Sequence, residues 1–260
     1  MKKILPIVFL LIFLTLVQKV NSQDIFQEYL STASKYKSDY EAFVLAKSRF
    51  MTYKSLDSEQ EAIEKTKAML FSKIELVKNY LNLIRSKFAA ETGVQDYKEN
   101  LTYLQLDNQI ADVLNLKDKI IACQTLSELN EVDLQFEKKY LASQKLAFKT
   151  LGLINLRKFT KFNDIFSEQI SLLGGKIGEI KTENAYDVFL WEKRTSELKN
   201  QADQEKNNLT QSSKLFLENV DSNNPKETYL EFINSLEKLR GNLVSLVLSF
   251  QEVINSIKKL

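Results

Sequence analysis

The chain of 260 residues carries no histidine and a single cysteine, Cys123. Those two counts close most of the side-chain chemistry open to a protein. Histidine is the side chain that titrates near neutrality, a common general base and the commonest metal ligand. Without it no Ser–His or Cys–His nucleophile pair can be assembled. One cysteine and no histidine likewise exclude zinc sites of the structural or hydrolytic kind. Carboxylates are plentiful, at 34 Asp and Glu, so a pair acting on a glycosidic bond stays formally open. None lies in the apolar, pocket-like context that raises a carboxyl pKa, and solvated helix faces account for them better.

Two short segments imitate binding loops. Asp221-Ser222-Asn223 begins like a calcium loop, but Lys226 stands where that loop needs glycine and Phe232 where it needs a bidentate Glu. Gly174-Gly175-Lys176-Ile177-Gly178 has no preceding strand and no Lys-Ser/Thr pair after it, so a phosphate cradle lacks its context. The first reads as a turn and the second as a hairpin reversal. The expectation is a non-enzyme with no catalytic residue, no cofactor and no metal.

The start of the chain reads as a secretory signal. Lys2 and Lys3 precede an apolar run of 14 residues, Ile4 to Val17. Val20 and Ser22 then occupy the small-residue positions of a cleavage site, so residues 1–22 are expected to be removed and the mature chain to begin at Gln23. The run is short of the roughly 20 apolar residues that span a bilayer. The expected localisation is secreted or cell envelope, with no stable membrane anchor after cleavage. Without Lys2, Lys3 and Lys19 the 36 basic residues become 33 against 34 acidic, a net charge of −1. Acids and bases read as interleaved along the helices, with only five Arg, so no nucleic-acid partner is expected. The lone Cys123 cannot close an intramolecular disulfide and reads as a small buried hydrophobe.

After residue 22 the only proline is Pro225, so the elements can be very long helices. The first is expected from about Asp24 to Ser55, with a seam of Phe26, Tyr29, Ala33, Tyr36, Tyr40, Phe43 and Phe50 interrupted by Lys47. These aromatics read as a bundle seam, their hydroxyls reaching the wet rim. Ser58-x-x-Glu61 reads as a capping box opening a second helix with Ile63, Leu70, Ile74, Val77, Leu81, Ile84 and Phe88, closed by Gly93. A third runs to about Ala122 with Leu106, Ile110, Val113 and Ile120. Thr125-x-x-Glu128 is a second capping box, opening a helix to about Leu173 with Phe136, Tyr140, Ala147, Leu151, Ile154, Phe162 and Ile165. The fifth follows with Ile177, Ile180, Val188, Trp191, Leu198, Ala202, Leu209 and Phe216. The sixth starts at Pro225, capped by Asn224, with Leu236, Leu243, Val247, Phe250 and Ile254.

This pattern predicts an all-α fold, an elongated antiparallel bundle of about six long helices in hairpins with coiled-coil-like packing. It divides into 23–123 and 124–260, each of three helices. From Lys193 to Lys214 the stripe thins to Leu198, Ala202 and Leu209, so these three and Glu205 form the candidate interaction surface. The expected function is a scaffold, spacer or adhesion-type module acting on a protein partner, with homo-oligomerisation open. The alternatives are an exported chaperone-like binder of apolar clients and, below it, a helical pore-forming toxin whose membrane segment would be Leu243 to Phe250.

Overall fold

The computed structural model describes residues 20–92, 97–180, 185–222 and 224–258. Among them the secondary structure is helical throughout: α1 Val20–Tyr53, α2 Leu56–Thr92, α3 Tyr97–Leu114, α4 Leu116–Ala122, α5 Leu126–Gly178, α6 Ala185–Asn219 and α7 Pro225–Ile257. The all-α class is therefore observed. Residues 1–19 of the expected signal segment and the expected stop at Gly93 lie outside the described residues.

The starts of α2 and α5 have a local cause, whereas Asn224, the expected cap of α7, makes no side-chain cap bond. Thr125 and Glu128 form the expected box: Glu128 Oε2 accepts from Gln124 N at 2.6 Å and Thr125 N at 3.1 Å, and Glu128 N donates to Thr125 Oγ1 at 3.2 Å. At α2 the cap is one turn earlier than expected. Ser58 N donates to Ser55 Oγ at 3.3 Å and Ser55 N donates to Ser58 Oγ at 3.1 Å, while Glu61 binds Arg49 instead. A hydroxyl at the fourth position serves as well as a carboxylate, which moves the box to Ser55-x-x-Ser58. Lys54 makes the turn before it with a left-handed φ of 48°, its N–H bonded to Phe50 O at 2.9 Å.

Two expectations about breaks are corrected. Residues 97–122 do not form one continuous helix, because Asn115 separates α3 from α4. Gly174-Gly175 is not a reversal: α5 continues through both to Gly178. Glycine weakens a helix by about 1 kcal/mol relative to alanine, but Ile170 and Ile177, seven apart, are both buried and pin the segment on either side.

The contacts group into two units, Met1–Thr150 and Leu151–Leu260, with the dividing line inside α5. In the first unit α1 lies antiparallel to α2. The tilted rings of Tyr29 and Tyr80 meet at 5.8 Å, Asn79 Nδ2 donates to Thr32 Oγ1 at 2.8 Å, and Arg49 meets Glu61 at 3.0 Å. α3 runs back along α2, tied by a forked Arg85–Asp107 pair at 2.7 and 3.1 Å and by the rings of Phe88 and Tyr103 at 5.1 Å. The α2 seam is the core: Ile63, Leu70, Ile74, Val77, Leu81, Ile84 and Phe88 are all buried. Leu106, Val113, Leu116, Ile120, Leu129 and Phe136 close on it.

The second unit is a three-helix bundle in which α6 runs antiparallel to both α5 and α7. Lys206 meets Asp164 at 2.9 Å, and Phe216 stacks on Phe232 at 4.5 Å. Its core gathers Phe166, Ile170, Ile177, Trp191, Leu198, Ala202, Leu243, Leu246 and Val253. On the α5 segment of this unit Ile154, Phe166, Ile170 and Ile177 are buried, while the expected Phe162 and Ile165 are half-buried.

Gly152 is the position where this packing leaves no room. A Cβ there would lie 2.2 Å from Cε1 and Cζ of Phe216, whereas at Gly175 it would meet nothing within 4 Å. We therefore expect Gly152→Ala to push the Phe216 ring off Phe232 and destabilise the protein by about 1–3 kcal/mol. Gly175→Ala should stabilise it by up to about 1 kcal/mol. Urea unfolding of both variants checks this, and equal midpoints would contradict the packing assigned to Gly152.

Candidate interaction surface

The stretch expected to await a partner is already covered. Leu198, Ala202 and Leu209 are 4 %, 0 % and 4 % exposed and line the α6 seam of the second unit. Glu205 is the polar member: its Oε1 accepts from Asn242 Nδ2 of α7 at 3.0 Å and its Oε2 from Asn208 Nδ2 at 3.4 Å. The four residues therefore join α6 to its neighbours and present no free apolar face. The stripe looked sparse because small and polar side chains complete it. Thr195 and Asn163 are buried, and Ala202 lets the helices approach closely. Thr195 Oγ1, Asn163 Oδ1 and Ser167 Oγ are buried in this seam without a hydrogen-bond partner. Asn163 also borders a shallow pocket of about 160 Å³ between α5 and α6, with Thr160, Lys206, Thr210 and Ser213 around it. The three hydroxyls there donate to their own helix carbonyls, at Leu156, Lys206 and Thr210.

Exposed large apolar groups are most numerous elsewhere, on α1. The sequence placed Phe26 and Tyr40 in a covered seam, but they are 41 % and 47 % exposed. Tyr29, Tyr36, Phe43 and Phe50 are half-buried, and Ala46 is the buried position of the helix. Rings at 36, 40 and 43 step along α1 with centroids 6.1 Å apart in each pair. Beside them Leu30, Val44 and Met51 stand open to solvent. Trp191, by contrast, is buried as expected, and so is Cys123, whose thiol pKa burial pushes up.

The charges that hold the first unit were not legible as a cluster. Lys73 of α2 reaches Asp133 at 2.9 Å and Glu137 at 2.5 Å on α5, and lies 4.5 Å above the ring of Phe136. Glu75 is bound by Lys117 of α4 and by Lys78 at 2.6 Å. Burial works to lower the Lys73 pKa, and its hydrogen bonds to Glu137 and Asp133 more than reverse this. Burial works to raise that of Glu75, and the bonds to Lys117 and Lys78 bring it below its ordinary value. The signal available in sequence was only that Lys73 interrupts the apolar surroundings of Leu70, Ile74 and Val77. Charge is also less evenly interleaved than expected: from Lys138 to Asn163 the chain has six Lys and one Arg and no acid. Lys139 there is met by Asp112 of α3 at 3.8 Å.

Among the described residues no group of three His, Cys, Asp or Glu side chains could hold a metal ion. Compared with protein-family models, curated proteins and solved structures, the chain matches none.

A depressed carboxylate pKa stabilises the fold above the unfolded value and ceases to do so as pH falls through the folded one. Glu75 should therefore contribute stability at neutral pH that begins to be lost as pH falls below about 4.3, the ordinary Glu value. Urea unfolding of the native protein and Glu75→Gln at pH 7 and pH 3.5 measures this. The variant should be less stable than the native protein at pH 7, and the gap should be smaller at pH 3.5. An equal gap at both pH values would show that the Lys117 and Lys78 bonds do not act through the charge.

Proposed function

We propose that the chain is an exported, non-enzymatic helical protein of the cell envelope or extracellular space, acting as a scaffold, spacer or adhesion-type module through a helix face. The observation that carries this reading is the open apolar stripe of α1, where Phe26, Leu30, Tyr40, Val44 and Met51 range from 41 % to 65 % exposed. Contiguous apolar exposure on a protein that buries its other stripes marks a contact surface. Export is supported by the leader pattern of residues 1–22. A chaperone-like cradle calls for a wide apolar groove, and the α1 stripe is one helix face, which fits a defined partner better. No helix among the described residues is long and apolar enough to cross a membrane.

A photo-crosslinking amino acid in place of Val44, 47 % exposed, tests the reading against one in place of Leu81, fully buried. In its native compartment the Val44 variant should give a discrete adduct with a polypeptide, and the Leu81 variant none. Absence of any adduct at Val44 would sink the interaction-module reading.

A further inference from the structure

α1 carries two apolar stripes, and only one of them packs against the other described helices of the first unit. The first turns Tyr29, Tyr36, Phe43, Ala46 and Phe50 toward neighbouring helices. The second is Phe26, Leu30, Ala33, Tyr40, Val44 and Met51, with Lys37 and Lys47 completing a series that steps by fours and threes. That alternation is the spacing of a helix wound against another helix. Five of the six apolar members are open to solvent, from 41 % at Phe26 and Leu30 to 65 % at Met51.

We propose that this stripe is covered by the same stripe of a second copy, the two α1 helices running antiparallel about a twofold axis near Ser38 and Asp39. The proposal rests on the interaction-module reading and names its partner. The spacing is self-complementary under that operation, as a twofold interface requires. Phe26 falls level with Met51, Ala33 with Val44, Leu30 with Lys47 and Lys37 with Tyr40. The two lysines do not break such a seam. The stem of Lys47 covers Leu30 while its ammonium reaches water. Lys37 brings its ammonium to the face of the Tyr40 ring.

Charge selects the antiparallel arrangement and the second copy. Up to Glu41 the helix carries Asp24, Glu28, Asp39 and Glu41 against Lys35 and Lys37, a net of −2. From Ala42 to Leu56 there is no acid, and Lys47, Arg49 and Lys54 give +3. Arg49 is shared with Glu61 of α2 at 3.0 Å. An antiparallel pair sets the acidic half of each helix beside the basic half of the other. A parallel pair would set like halves together, and like charges at close quarters are unfavourable.

The test uses the full chain with Cys123→Ser. Ala33 and Val44 are eleven residues apart, about 16 Å along a helix, so cysteines at both positions cannot bridge within one chain. On oxidation Ala33→Cys/Val44→Cys should give a covalent dimer, and Val44→Cys alone should give little. Sedimentation should show a dimer that weakens with salt. Val44→Glu should weaken it about tenfold or more with unchanged helical circular dichroism, since the site is exposed. A monomer at about 100 µM, efficient self-crosslinking of Val44→Cys alone, or a dimer indifferent to Val44→Glu overturns the proposal. A monomer that still forms the Val44 adduct in its native compartment, or that adsorbs to phosphatidylcholine vesicles through α1, also overturns it. The first of these leaves the interaction-module reading standing.

Discussion

A long helix in water has to hide its apolar stripe, and in this chain that requirement organises everything else. Isolated helices are marginal because nucleation is costly and propagation gains little. Here there is no disulfide to narrow the unfolded ensemble, since Cys123 stands alone. The burden falls on side-chain packing, and α2 carries most of it in the first unit. Its Leu70, Ile74, Leu81, Ile84 and Phe88 are 2 % exposed or less. Each such side chain contributes about 1.5–3 kcal/mol on leaving water, which offsets the ordering of the backbone around it.

Polar interactions then choose among the ways such stripes can pack. Lys73 places α5 against α2 through Asp133 and Glu137, and Glu75 ties α4 to the same helix through Lys117. A charge this close to a core is costly if left alone, so the arrangement that pairs it is preferred over a slipped register. In the second unit the same role falls to smaller contacts. Glu205 accepts from Asn242, and Asn155 Nδ2 donates to Tyr229 Oη at 3.3 Å. Phe216 lies against the bare backbone of Gly152, which fixes where α6 crosses α5.

The legible parts of this fold were those where one local signal sufficed. The α2 seam could be read because large aliphatics recur at strict spacing, and every one of them is buried. The Thr125–Glu128 box could be read because both partners are in the sequence pattern itself. Helix ends decided by neighbours could not. Gly174-Gly175 looked like a break, yet the buried Ile170 and Ile177 carry the helix through it. The stretch around Leu198 looked unpartnered because Thr195, Ala202 and Asn163 do not count as apolar stripe residues, although they fill the seam. On α1 the error ran the other way. Aromatic content suggested burial, but two stripes share one helix and the described helices of the first unit cover only one.

The functional account depends on the claim that these stripes hold the helices together. Leu81→Asp tests it most directly, with Glu64→Ala as the control on the exposed face of α2. An unpaired charge at a fully buried site costs several kcal/mol, against about 0.5 kcal/mol or less for the surface change. Thermal melts followed by circular dichroism should show Leu81→Asp losing most of its cooperative transition while Glu64→Ala melts with the native protein. Equal melting temperatures for all three would contradict the central place given to the α2 seam.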